Sequence, residues 1–103
     1  TIPQGVLSFT MPGSMQNGGP DGLALINNIN NTLIDALSYE GAITAAIIDG
    51  FGGTVSLVEG NPTSATDTGT GSIIRFPDGT DSGDDATDFV NSANPTPGET
   101  NIQ

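Results

Sequence analysis

Apolar residues along this chain come in short bursts, each cut off by turn formers. Val6, Leu7 and Phe9 make the first burst; with Pro3 and Gly5 before them they predict a turn and then a strand within residues 1–10. Residues 11–22 hold Pro12, Gly13, Asn17, Gly18, Gly19, Pro20, Asp21 and Gly22, a density of breakers that predicts a loop in which Met11 and Met15 pack down as plugs. Residues 23–26 are apolar, 27–31 are almost all Asn around Ile29, and 32–39 are largely apolar again. Asn tolerates positive φ and caps turns with its own side chain, so this pattern predicts a β-hairpin. A helix over 23–39 is the rival, and four Asn in its middle argue against it on propensity.

Residues 42–48 fit helix and strand equally well. The stretch 49–53 closes them, and 54–58 predicts a short strand. Residues 60–71 read as a polar loop, and 72–76 as the last clear strand, stopped by Pro77. Residues 78–103 have one apolar anchor, Phe89-Val90, and otherwise read as an acidic, irregular tail draped over the surface. Short strands between Gly, Pro and Asn turns predict an all-β sandwich in one domain over residues 1–103. Only four or five strands are visible where such a sandwich usually needs about seven. The expected core is Leu23, Leu25, Leu33, Ile34, Leu37, Ile73 and Phe76, with Leu23 and Leu25 on one face by period 2. Truncating a buried Leu25 to Ala would then cost about 2–5 kcal/mol.

Composition narrows the chemistry. The chain has 103 residues, 12 acids, one base (Arg75), no His and no Cys, for a net charge of −11. Without His and Cys it lacks the parts for Ser-His-Asp or Cys-His catalysis and for an ordinary zinc site. With a single cation it has no positive patch for phosphates, which argues against nucleic-acid contact and adhesion to anionic lipid. No apolar run approaches membrane-spanning length, and no signal-peptide pattern is present. A compact fold of this mass exposes roughly 5,400 Å².

Five carboxylates, Asp78, Asp81, Asp84, Asp85 and Asp88, fall within eleven residues. Ca²⁺ takes six to eight hard oxygens in a flexible loop, so these five are the candidate metal ligands, with Kd on the order of 10⁻⁴–10⁻³ M. The spacing is not that of an EF-hand, and the plain alternative is a solvated acidic loop. Glycoside hydrolysis by paired acids lacks an aromatic platform, since Trp is absent. The Gly-rich stretches 50–53 and 69–71 are not followed by Lys, which leaves them as turns rather than phosphate cradles. Arg75 is expected to form a structural fork with a carboxylate that tethers the tail. Asn30-Asn31-Thr32 is a glycosylation sequon at the hairpin tip, relevant only in a eukaryotic secretory host.

Two stretches resemble a known family. Asn17-Gly18-Gly19-Pro20-Asp21-Gly22-Leu23-Ala24-Leu25-Ile26, with Leu33-Ile34-Asp35-Ala36-Leu37-Ser38-Tyr39-Glu40-Gly41, is similar to the central hairpin of bacterial lamin-tail domains. Ser72-Ile73-Ile74-Arg75-Phe76-Pro77-Asp78-Gly79-Thr80-Asp81, then Asp88-Phe89, Pro95-Thr96-Pro97-Gly98 and Asn101, resembles that family's closing strand and tail. Thr1-Ile2-Pro3-Gln4-Gly5 resembles the turn that precedes its fourth or fifth strand. The resemblance implies an immunoglobulin-like module of secreted or cell-surface bacterial proteins, often beside nuclease or phosphatase domains. The family's opening strands have no counterpart here, so the likeness covers about the C-terminal two-thirds of such a domain. Its missing strands would come from upstream in a longer polypeptide or from a neighbouring subunit. The function expected is a non-catalytic structural or interaction module. The alternatives are a fragment of a secreted nuclease or phosphatase whose catalytic domain lies outside this chain, and a fibre subunit completed by a neighbour's strand.

Overall fold

A computed structural model describes residues 5–14 and 18–103. In chain order the elements are β1 (Asp21–Asn27), β2 (Thr32–Tyr39), β3 (Ala46–Ile47), β4 (Thr54–Val55), β5 (Ser72–Arg75), a single helical turn α1 (Asp85–Asp88) and β6 (Phe89–Ser92). The chain is strand-rich, as expected of an all-β protein. Its described strands pair antiparallel in three two-stranded sheets, β1–β2, β3–β4 and β5–β6.

The hairpin forms where the Asn-rich stretch predicts it. Asn27 pairs with Thr32, Asn31 takes the left-handed conformation (φ 54°), and the Asn27 side chain accepts from the Ile29 amide at 3.0 Å. The register sets Leu23 opposite Leu37 and Leu25 opposite Asp35, so these four side chains share one face. Beyond Leu25 the register slips, and Ile34 is left without a partner in a bulge.

The core corrects the expected one. Of the seven residues expected there only Leu37 is buried; Leu23, Leu25 and Ile34 are 50%, 60% and 59% exposed, and Leu33, Ile73 and Phe76 are half-buried. The hairpin face that carries Gly22 and Ser38 lies under Leu57 and Ile43 instead. A Cβ on Gly22 would stand 2.7 Å from Leu57 Cδ1 and 3.2 Å from Ile43 Cδ1. Small residues let these segments approach closely, while on the leucine face Leu37 is covered and Leu23 and Leu25 stay exposed. The buried set is Ala36, Leu37, Tyr39, Leu57, Ala65 and Ile74. The three largest fully buried side chains are polar: Asp85, Asp88 and Ser38. Ser38 donates to the Gly41 carbonyl at 2.7 Å and accepts from the Ile43 amide at 3.0 Å, pinning the chain that leaves the hairpin.

Three further readings change. Residues 1–4 and Met15 lie outside the described residues. Residues 5–14 form no strand, and Leu7 and Phe9 stand more than 80% exposed, since a single run with no neighbour has no hydrogen-bond ladder to join. Met11 is exposed rather than a plug. The ambiguous stretch 42–48 becomes strand only at β3, paired with β4. Ser72–Arg75 is not the final strand, because β6 follows and pairs with it, Arg75 opposite Phe89 and Ile74 opposite Val90. The loop 60–71 runs alongside β6: Thr63 Oγ1 donates to the Phe89 carbonyl at 3.2 Å, and Asn91 exchanges hydrogen bonds with the Thr66 backbone at 3.2 and 2.6 Å. The tail folds back on β5, where Asn101 Nδ2 donates to the Arg75 carbonyl at 3.0 Å. Among the described residues no helix is long and apolar enough to cross a membrane.

In dilute solution, urea unfolding should show Leu37→Ala losing about 2–5 kcal/mol and Leu25→Ala less than about 1 kcal/mol. Equal losses would mean that the leucine face is covered within one chain.

Candidate functional site

Arg75, the chain's one cation, sits at the end of β5 with 15% of its side chain exposed. Its Nη2 donates to both oxygens of Asp35, at 2.8 and 2.7 Å. Its Nη1 donates to the Thr80 carbonyl at 2.9 Å and lies 3.5 Å from Asp88 and 3.6 Å from Asp81. The guanidinium stands 4.4 Å above the Phe89 ring centroid, a cation–π contact across the β5–β6 pair. Burial works to lower the Arg75 pKa, but the Asp35 hydrogen bond and the charges of Asp35, Asp81 and Asp88 outweigh it and raise the value. A fork was expected from the lone Arg, and it forms. Its carboxylate belongs to β2, so the fork joins the hairpin to the β5–β6 sheet, while Nη1 reaches the loop that follows β5.

The five candidate metal ligands have separate duties. Asp78 accepts from the Asn101 amide at 3.1 Å and Asp81 faces Arg75. Asp84 accepts from the Asn61 amide at 2.7 Å and from the Thr87 hydroxyl at 2.6 Å. The Thr87 hydroxyl leads the hydrogen bonds that hold the Asp84 pKa below its ordinary value. Asp85 accepts from the Glu59 amide at 3.0 Å, and its own amide donates to the Glu59 carbonyl at 2.9 Å. Burial pushes its carboxyl pKa up. Asp88 accepts from the Ser82 hydroxyl at 2.7 Å and the Ser82 amide at 2.8 Å. The Ser82 side chain is the main cause holding its pKa down, against burial, with the Ser82 amide and Arg75 adding to it. Gly60 makes the Asp84 contact possible: its φ is +62°, and a Cβ there would fall 2.9 Å from Asp84 Cα.

Among the described residues, the acids whose oxygens come within 4.8 Å of one another are Asp21, Glu40 and Asp67, not any three of those five. Asp21 is buried and Glu40 and Asp67 are exposed. Hairpin pairing explains two of them, since Asp21 stands opposite Tyr39, next to Glu40. Asp67 arrives from the loop 60–71, and nothing local in the sequence marks it. Burial, then the charges of Asp21, Asp67 and Glu40, raise the Tyr39 pKa.

The open leucine face forms one wall of a groove of about 230 Å³. Leu23, Leu25 and Leu37 line one side and Ile73 and Phe89 the other, with the Arg75–Asp35 pair between them. Because the two charges neutralise each other, the groove offers apolar surface and no free acid or nucleophile. No family model, no curated protein and no solved structure matches the chain.

The lowered Asp88 pKa carries a sign that pH can test. A carboxyl with a depressed folded-state pKa stabilises the fold above its unfolded value, about 3.9, and that contribution is lost as pH falls through the folded value. Asp88→Asn should therefore be less stable than the parent at neutral pH, and urea melts in a pH series should show the gap closing below about pH 4. A gap that stays constant into acid would show that the Asp88 charge contributes nothing.

Proposed function

We propose that this chain is a non-catalytic, immunoglobulin-like β module of a secreted or cell-surface bacterial protein, serving adhesion, assembly or the placement of a neighbouring domain. The observation that carries this reading is the apolar groove: leucines on an uncovered sheet face, beside a charge pair already satisfied within the chain. Uncovered apolar faces on ordered sheets mark contact surfaces. Residues of the two resembling stretches meet in the fold: Asp35 of the first pairs with Arg75 of the second, 40 positions away, and Asp88 and Phe89 of the second flank the same guanidinium. In this reading the sandwich is completed by strands outside the three described pairs.

The rival is a fragment of a secreted nuclease or phosphatase whose catalytic domain lies outside this chain. Two measurements bear on the proposal. Fractionation of the producing cells, probed with an antibody to this chain, should find it outside the cytoplasm. The native polypeptide that carries this sequence, captured with the same antibody and given generic phosphodiester and phosphomonoester substrates with Mg²⁺ or Ca²⁺, should release product no faster than buffer. Turnover that tracks the captured polypeptide would favour the rival, and a cytoplasmic pool would contradict both.

A further inference from the structure

We propose that the groove is filled by residues 6–11 of a second copy of this chain, laid as a strand beside β1. The inference rests on the reading of the chain as an assembly module and names its partner. It starts from two unsatisfied surfaces in one molecule. The groove is one, with Leu23 and Leu25 half or more exposed and, among the described residues, no strand on the outer edge of β1. The other is the described N-terminal segment, where Leu7, Phe9 and Met11 are 81%, 83% and 55% exposed and no strand pairs with them. Those three alternate with Ser8 and Thr10, the spacing that puts apolar side chains on one side of a strand. Within its own chain the segment runs past Gly98, where an added Cβ would lie 3.6 Å from Ser8 Oγ, and leaves the groove empty.

Charge and area both favour a second copy. Two chains of net charge −11 repel almost everywhere they touch. Residues 5–14 carry no charge, and the charges in the groove, Arg75 and Asp35, are already paired, so this contact brings no like charges together. The chain exposes 6885 Å², against roughly 5,400 Å² for a compact protein of its mass, an excess of about 1,500 Å². Its radius of gyration, 13.9 Å, likewise exceeds the roughly 12.8 Å of a compact domain of this length. A standard interface takes about 800 Å² from each partner, which the excess more than supplies. Each copy gives a segment and receives one. The exchange closes as a dimer if the two contacts share a two-fold axis and grows into a fibre if they do not.

Sedimentation velocity on the 103-residue chain, from low to high micromolar, tests this. The expected result is a shift to dimer or larger species with concentration. Phe9→Asp and Leu25→Asn should each remain monomeric; both positions are exposed, and the uncharged Asn sets no second carboxylate opposite Asp35. Mixed together, the two should associate, because Phe9→Asp keeps an intact groove and Leu25→Asn an intact segment. A parent chain that stays monomeric throughout would overturn the proposal and assign the groove to a strand of another polypeptide. Association unaffected by either substitution, or no recovery on mixing, would overturn it as well. None of these outcomes bears on phosphoester turnover, so the module reading stands or falls separately.

Discussion

One ion pair joins the two halves of this protein. The hairpin and the β5–β6 sheet are separate ladders. Arg75 reaches from one to the other. Its Nη2 takes both oxygens of Asp35, its Nη1 takes the Thr80 carbonyl, and its flat face rests on Phe89. A half-buried guanidinium in a strongly acidic chain is well placed for this, since the surrounding charge that would destabilise most groups stabilises this one.

The acidic residues then act mainly as acceptors that fasten backbone. Asp85 and Asp88 lie at the buried centre of the fold, and each accepts from an amide of a segment without regular structure, Glu59 and Ser82. Asp84 does the same for Asn61. A chain with long Gly- and Asn-rich connections cannot satisfy its amides by ladders alone, and carboxylates supply strong, charge-assisted acceptors. Hydrophobic surface is left over, on the leucine face beside the clamp, along residues 6–11 and at Ile29 and Ile47.

Much of this could be read in the sequence, and the gaps have physical causes. The hairpin and its turn followed from Asn27–Asn31, because local turn chemistry decides them. That Leu23 and Leu25 share a face also followed, from period 2. Which face is buried did not, since it depends on Leu57 and Ile43 arriving over Gly22, a long-range event with no local mark. Strand β6 escaped notice because Phe89-Val90-Asn91-Ser92 is short and half polar, and it is a strand only beside β5. The lone Arg pointed to a fork but not to Asp35, 40 residues away. Five neighbouring Asp looked like one site, yet the folded backbone turns them toward different donors, while the acids that do meet come from three distant positions.

The central claim is that the Arg75–Asp35 pair couples the hairpin to the C-terminal sheet, and a double-mutant cycle measures that coupling directly. Urea unfolding of the parent, Arg75→Gln, Asp35→Asn and the double variant at neutral pH should give a coupling energy of about 1–2 kcal/mol, between that of an exposed ion pair and a fully buried one. A coupling below about 0.3 kcal/mol, typical of surface pairs that contribute nothing, would show that the two halves are held together by something else.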